Sequence, residues 1–169
     1  MNLLSDEELI VLCASGDRLA MDILVSRYHA KLLDFAFRQI GNRDAAADIA
    51  QTALVKAFRF SSTFTGKASL RTWLYSLTVN LIRDEMRLRK RRGESLFSEI
   101  DNEDNRMEIP SSAKSTEDDA IQHIEVSNIW SAVNTLPEKH KNAMLMRFRF
   151  DLKHDEIAEV MGVPCPTVR

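Results

Sequence analysis

Side chains able to contact nucleic acid are concentrated in residues 63–92, TFTGKASLRTWLYSLTVNLIRDEMRLRKRR. One face of a helix through this segment would carry Asn80, Arg83, Asp84, Arg87 and Arg91. Such a face, preceded by a loop that contains Phe64, suits nucleic-acid binding: the cationic side chains would bind phosphates, and an exposed base would stack on the aromatic loop. A solvated helix face whose basic end complements the helix dipole explains the same spacing. Both interpretations stand at this point.

No catalytic or metal-binding spacing accompanies this face. The four histidines are isolated, and none pairs with another histidine or a cysteine at ligand spacing: His29, His123, His140 and His154. Zinc sites need clustered ligands, and the sequence contains neither a phosphate-binding glycine loop nor a G-x-S-x-G nucleophile elbow. The sequence therefore predicts a binding protein without metal or cofactor, and not an enzyme.

Helix start and stop signals divide residues 1–92 into four helices. A capping box at Ser5 starts the first helix and Gly16 ends it. Asp17 can cap the second helix, which Gly41 stops, and the pattern restarts at Asn42. The fourth helix is expected to begin at residue 70, after the loop at 61–69. Alternation typical of strands is absent, so the module is predicted to be all-α.

Apolar residues at helical spacing mark the inward sides of these helices. In the second helix they are Leu19, Ile23, Leu24, Tyr28, Phe35 and Ile40. In the third they are Ile49, Ala53, Leu54, Ala57 and Phe58. In the fourth they are Leu70, Trp73, Leu74, Leu77 and Leu81. The other side of the third helix shows Asp48, Gln51, Thr52 and Val55.

Charge separates two modules and a connector. Residues 1–92 carry 15 Lys and Arg against 10 Asp and Glu, residues 93–128 carry 2 against 10, and residues 129–169 carry 6 against 5. Residues 93–116 are acidic and rich in Ser and Asn, which is typical of a flexible linker. An acidic extended segment could also thread a basic nucleic-acid channel. We therefore expect two small helical domains, 1–92 and 117–169, joined by an acidic linker.

The compartment is predicted from the cysteines and the N-terminus. Cys13 and Cys165 lie far apart without CxxC spacing, which favours a reducing compartment. No signal peptide is recognisable, and no apolar run approaches the roughly 18 residues that span a membrane. A cytoplasmic protein without membrane insertion is expected.

The C-terminal module is predicted to contain a helix-turn-helix. Apolar spacing resumes near residue 117, Pro137 opens the next helix, and a short helix over residues 155–161 ends at Gly162. A turn over residues 163–165 and a second helix beginning at Pro166 follow. The helix after Pro137 carries the apolar residues Ala143, Met144, Leu145, Met146 and Phe148.

The order of these segments resembles a known family. The segments that carry the resemblance are, in order, DAAADIAQTALVKAF, FTGKASLRTWLYSLTVNLIRDEMRLRKRR, an acidic linker and LPEKHKNAMLMRFRFDLKHDEIAEVMGVPCPTV. In this order they are similar to bacterial RNA polymerase sigma factors of the extracytoplasmic-function group. The resemblance covers both modules and nearly the whole chain. The block FTGKASLRTWLYSLTVNLIRDEMR is its most specific part.

The resemblance implies roles for matching positions. Docking on the clamp coiled coil of the largest subunit of core RNA polymerase is implied for Asp44, Asp48, Gln51, Leu54 and Val55. Contact with promoter DNA is implied for Phe64, Lys67, Ser69, Arg71, Asn80, Arg83, Arg87, Arg91, Thr167 and Arg169. The loop at 64–69 would capture a base flipped from the non-template strand of the minus-ten element. Residues 89–92 would add salt-dependent attraction to phosphates.

The resemblance also implies a partner and has departures. A separate anti-sigma factor is expected to control the protein. The chain ends at Arg169, where family members continue with a basic helix, so we expect an incomplete reader of the minus-thirty-five element. Lys153 stands where a capping Ser or Thr is common, and Pro166 is tolerable at a first helical position. Two other functions remain open: a helix-turn-helix regulator that senses a signal, and a helical adaptor that binds only proteins.

Overall fold

The computed structural model describes residues 4–93, 133 and 135–168. The first range contains α1 (Asp6–Ala14), α2 (Arg18–Ile40), α3 (Arg43–Arg59), a 3-10 turn (Ser61–Thr63) and α4 (Leu70–Arg92). The last range contains α5 (Glu138–Met144), a π-helical turn (Leu145–Arg149), α6 (His154–Met161) and a 3-10 turn (Cys165–Thr167). The all-α prediction is confirmed. Within these ranges no helix is both long enough and apolar enough to cross a membrane.

Local capping chemistry sets the start of each of the first four helices. The backbone N–H of Ser5 donates to Glu8 Oε2 at 2.7 Å, and the N–H of Glu8 donates to Ser5 Oγ at 3.2 Å, which completes the expected capping box. The side chains that cap α2, α3 and α4 are Asp17, Asn42 and Ser69. Gly41 ends α2 at a φ of 71°, a left-handed conformation that glycine adopts without strain.

The four N-terminal helices and the C-terminal helices share one apolar core. α2 packs against α1, α3 and α4, and α6 packs against α4. Phe35 of α2 meets the ring of Tyr75 on α4 edge to face, with centroids 5.2 Å apart. Phe150, which follows the π-helical turn, lies 5.4 Å from both of these rings. The C-terminal module is therefore seated on α2 and α4.

The inward face of α4 differs from the expected stripe. Leu70 and Leu74 are buried as predicted, but the centre of the face is Tyr75, Val79 and Ile82. The other three expected core residues are only half-buried: Trp73, Leu77 and Leu81. The physical reason is that α4 is covered from several sides by α2, α3 and α6, so its buried arc is wider than one leucine stripe and centred elsewhere.

Two apolar residues of the predicted helices lie outside the core. Leu19 is 60% exposed because the buried line of α2 runs through Ala20 and Leu24, about 100° around the helix from it. Phe148 is 69% exposed, whereas Leu145 and Met146 are buried. Neighbouring residues on a helix point in different directions, so a run of apolar residues cannot all face one core.

The acidic linker and most of the helix predicted after residue 117 lie outside the described residues. Of its expected core residues, Val133 is buried, whereas Leu136 lies in a turn and is 38% exposed. Pro137 directly precedes α5, and Gly162 ends α6 at a φ of 67°. The start of the second motif helix is a 3-10 turn at Cys165–Thr167, and Arg169 lies outside the described residues.

Candidate nucleic-acid interface

The loop between the first 3-10 turn and α4 presents one aromatic ring beside exposed polar residues. Phe64 is half-buried, with its ring centroid 5.3 Å from that of Trp73 at a tilt of 46°. Gly66 has a φ of 69°, and a Cβ there would meet no atom within 4 Å. Its positive φ therefore explains glycine at this position, whereas crowding does not. Lys67 is exposed at the tip.

Most of the predicted cationic stripe of α4 is open to solvent. The exposed members are Asn80, Arg83, Arg87 and Arg91. Arg83 donates to Asn80 Oδ1 at 3.5 Å, and Arg87 reaches Asp84 at the same distance. Side chains this exposed gain little from such long contacts. They can exchange them for phosphate oxygens at small cost.

Arg89 has a different role from the rest of the basic end of α4. Its side chain is 13% exposed, and its Nε donates to Glu85 Oε1 at 2.9 Å. Its Nη1 also reaches the carbonyl oxygen of Ile40, the last residue of α2. Arg89 therefore fastens α4 to α2, and we remove it from the expected phosphate-attracting tail.

Two of the predicted DNA contacts, Ser69 and Arg71, are bound to a residue of the C-terminal module. Glu156 Oε1 accepts hydrogen bonds from Ser69 Oγ at 2.9 Å and from Thr72 Oγ1 at 3.0 Å. Glu156 Oε2 accepts from Arg71 Nη2 at 3.0 Å and from the backbone N–H of Lys153 at 2.8 Å. A single carboxylate thus caps the start of α6 and engages the start of α4.

The ionised form of Glu156 is the favoured one. Burial of the carboxylate raises its pKa, but the donors named above and the nearby guanidinium of Arg71 outweigh burial and hold the pKa below its ordinary value. Charge-assisted hydrogen bonds of this kind are the strong ones in proteins.

Sequence reasoning missed this contact. Of the bonds that Glu156 accepts, only the one from the backbone N–H of Lys153 is local in sequence. The bonds to Ser69 and Thr72 join residues more than 80 positions apart, and no periodicity carries such information. Arg149 was also missed: its Nε donates to Asp34 Oδ2 at 3.1 Å, across the same boundary.

The proposed polymerase-docking residues lie on α3. Asp44, Asp48, Gln51 and Val55 are exposed, and Val55 is 56% exposed despite being apolar. Leu54 is only 4% exposed, so its assignment to this face is corrected. It follows Ala50 by one helical turn and therefore faces the core.

A groove between α3 and α4 borders this face. Its apolar lining comes from Ala45, Ile49, Leu81 and Leu88. Its charged and polar lining comes from Asp48, Thr52, Asp84, Glu85 and Arg91. Three of the four ionisable groups are acids, so the groove suits an amphipathic partner with basic side chains.

The C-terminal motif retains the geometry of a helix, a turn and the start of a second helix. Thr167 is exposed in the final 3-10 turn. In the parts of the chain that the structure describes, no three His, Cys, Asp or Glu side chains lie close enough to hold a metal ion.

Two family models match the chain. The model of Sigma-70 region 2 matches residues 24–92, and the model of Sigma-70, region 4 matches residues 127–169. The first range contains the loop and stripe of α4, and the second contains the helix-turn-helix.

Full-length relatives agree with these matches. The RNA polymerase sigma-H factor of Pseudomonas aeruginosa is 30% identical over 97% of this chain and 86% of its own length. The ECF RNA polymerase sigma-E factor of Escherichia coli K12 is 31% identical over 98% of this chain and 87% of its own length.

Solved structures show the same fold. CnrH in complex with the cytosolic domain of CnrY has a TM-score of 0.65 at 21% identity, covering 96% of this chain and 86% of that chain. RpoE from Bartonella quintana in complex with the anti-sigma factor NepR has a TM-score of 0.63 at 19% identity, covering 87% and 86%. The family models and the identity to full-length relatives favour neither the adaptor nor the signal-sensing regulator. They show that the chain belongs to the extracytoplasmic-function sigma factors of the sigma-70 family, which are promoter-recognition and transcription-initiation factors and not enzymes.

Proposed function

We propose that the two surfaces of the N-terminal module divide the work of initiation. The face and groove of α3 bind core RNA polymerase, and the loop with the α4 stripe binds the opened non-template strand of the minus-ten element. The observation that carries this proposal is the continuity of the second surface. The aromatic loop at Phe64 leads directly into a helix whose exposed face bears Asn80, Arg83 and Arg87.

The loop has the features that base capture needs. The Phe64 and Trp73 rings lie in contact and form an apolar wall, while Thr65 and Lys67 are exposed beside it. A flipped base requires a surface to stack on and polar groups for its edge. The loop is therefore the proposed site for one non-template base, and the stripe beyond it holds the strand by its phosphates.

The groove along α3 supports the docking half of the proposal. An apolar lining with acidic rims complements a helical partner that carries both apolar and basic residues, as the clamp coiled coil is expected to do. The exposed Val55 adds an apolar contact that has no role in the fold. Charge reversal at Asp48 should therefore weaken docking without loss of stability.

Two further partners belong to the same proposal. The C-terminal motif, from α6 through Thr167 and Arg169, is proposed to contact the minus-thirty-five element. An anti-sigma factor is proposed as the inhibitor, and the complexes of CnrH with CnrY and of RpoE with NepR are the support for it.

Competition for core polymerase tests the docking half. The fluorescently labelled chain is bound to Escherichia coli core polymerase, and unlabelled housekeeping sigma factor is added as the competitor. Fluorescence anisotropy of the labelled chain reports how much of it remains bound. We expect Asp48→Arg to weaken binding about tenfold or more, since reversed rim charges cost several kcal/mol at an interface. Asp22→Arg, at an exposed position of α2, is the matched control and should bind as the wild type does. Equal binding of both variants would place docking elsewhere.

Promoter opening tests the DNA half. Asn80→Ala removes an exposed amide from the stripe and should abolish opening while polymerase binding stays nearly unchanged. Opening is followed by permanganate reactivity of unpaired thymines on promoters selected from genomic fragments by the assembled holoenzyme. Normal opening by Asn80→Ala would contradict the assignment of the stripe.

A further inference from the structure

The contact between the two modules falls on the proposed DNA-binding surface. The carboxylate of Glu156 on α6 accepts hydrogen bonds from Ser69, Thr72 and Arg71, which lie at the start of α4. The side chain of Glu156 is 15% exposed and that of Arg71 is 34% exposed, so the pair is largely shielded from water. Its position at the end of the aromatic loop puts it directly beside the proposed base-capture site.

A second polar contact and an aromatic cluster support the same closed arrangement. Arg149 pairs with Asp34, which is nearly buried and also accepts from Arg38. Phe150 packs against Phe35 and Tyr75. These contacts involve α2 and α4 together, so the C-terminal module is held at separate points and not by Glu156 alone.

The donors that hold Glu156 are the same donors that a DNA phosphate would use. A hydroxyl and a guanidinium bind carboxylates and phosphates by the same charge-assisted hydrogen bonds. Ser69 Oγ, which also accepts from the N–H of Thr72, cannot donate its one proton to Glu156 and to DNA at once. Occupation by Glu156 and by nucleic acid is therefore mutually exclusive at this point.

We propose that Glu156 is an internal competitor of promoter DNA, which holds the free chain closed until the C-terminal module is lifted from α4. This inference rests on the proposed function of the loop and α4 stripe. In the closed chain the proposed docking residues Asp44, Asp48, Gln51 and Val55 remain exposed. Polymerase can therefore bind the closed form first, and its hold on the C-terminal module then uncovers the DNA site.

Glu156→Gln is the appropriate variant because it separates the two roles of this residue. Glutamine also completes a capping box, so the start of α6 is retained. The charge that pairs with Arg71 is lost, and one amide group replaces an acceptor with a donor. Arg149→Ala removes the second polar contact. Glu159→Gln, the same substitution at an exposed position three residues further along α6, is the matched control.

The closed state is measured on the full chain by 15N relaxation. If the modules are joined, amides of α5 and α6 share one rotational correlation time with amides of α1–α4. We expect this for the wild type and for Glu159→Gln. Glu156→Gln combined with Arg149→Ala should shorten the correlation time of α5 and α6 alone. Independent tumbling of the modules in the wild type would overturn the proposal.

Competition is measured with labelled single-stranded DNA 20-mers of randomised sequence. If the open form is about a tenth of the wild-type population, full opening raises the apparent affinity about tenfold. We expect Glu156→Gln to bind at least about threefold more tightly and the double variant to approach tenfold. Glu159→Gln reports the general effect of removing one negative charge.

The outcomes separate this proposal from the proposed function. If DNA shifts the amide resonances of residues 64–72 but binds Glu156→Gln and Glu159→Gln with equal affinity, the competition is overturned. The DNA site itself is then retained. If the modules of the variants tumble independently but DNA does not contact residues 64–72, both the DNA site and the competition are overturned. The contact of Glu156 with Ser69 and Arg71 in the wild type would still stand. Tighter DNA binding at those residues by Glu156→Gln and the double variant, together with independent tumbling of α5 and α6 in the double variant, supports the whole proposal.

Discussion

The two ends of α4 carry the same kinds of side chain in different states. At its start, Ser69 and Arg71 are engaged by Glu156 within about 3 Å. Further along, and within the part of the chain that the structure describes, Arg83 and Arg87 make only long contacts with neighbours on their own helix. One end is bound within the protein, and the other is open to a ligand.

The difference shows that a surface can be complete in sequence and still be partly occupied in the folded chain. The proposed strand-binding surface runs along the whole of α4, but only its later part is free to bind. Nucleic acid that approaches the closed chain would meet the stripe before the loop. Predictions that act on one end alone can therefore separate the two contributions.

After the loss of opening expected for Asn80→Ala, the largest effect is expected at the loop. Phe64→Ala removes the ring against which a base would stack, and base stacking on an aromatic side chain contributes about 1–3 kcal/mol. Promoter opening should fall by about 10- to 100-fold while polymerase binding is nearly unchanged. Opening is followed by permanganate footprinting. Phe60→Ala, an exposed phenylalanine four residues upstream, is the control, and an equal loss in both variants would contradict a specific role for Phe64.

A smaller effect on stability should distinguish Arg89 from its neighbours. Arg89→Ala removes a half-buried ion pair with Glu85 and a bond to the end of α2. We expect the free energy of unfolding to fall by about 1.5–3 kcal/mol, since hydrogen bonds to charged groups contribute about that much. Urea unfolding followed by circular dichroism measures it. Arg83→Ala should change stability by less than about 0.5 kcal/mol; a loss as large as that of Arg89→Ala would contradict this difference.

The open end should show itself in salt dependence. Arg83→Ala and Arg87→Ala each remove one proposed phosphate contact. For holoenzyme binding to a promoter fragment, the slope of log K against log salt should decrease by about 0.7–0.9 per substitution. Electrophoretic mobility shifts between about 50 and 200 mM salt give the slope. An unchanged slope for both variants would show that the stripe does not contact phosphates.

The smallest effect concerns pH. The carboxylate of Glu156 has a pKa below its ordinary value of 4.5, so its contribution to closure is complete above that value. The contribution is lost only as pH falls through the lowered pKa. The charged group facing it from α4 is Arg71. The correlation time of α6 should therefore not change between about pH 8 and pH 6. A shortening over that range that Glu156→Gln abolishes would contradict the role of an ionised Glu156.

Much of the fold could be predicted because its signals are local. The side chains that cap the first four helices accept hydrogen bonds from backbone amides three residues away: Ser5, Asp17, Asn42 and Ser69. Because both partners are close in the sequence, the sequence is enough to locate these caps. The exposed stripe of α4 followed equally well, since helical spacing alone puts Asn80 and Arg83 on one side. Trp73, Leu77 and Leu81 were misjudged as core because the spacing gives a face but not what covers it.

The sequence by itself determined where the helices of the first module begin, which face of α4 is cationic and which family the motifs resemble. Those properties depend on residues within a turn or two of one another. Only the tertiary structure decided that Arg89 belongs to the fold and that Glu156 lies on Ser69 and Arg71. Each of these depends on partners brought together by packing, and because hydrophobic packing is non-directional, the spacing of residues along one helix does not specify which distant segment will cover it.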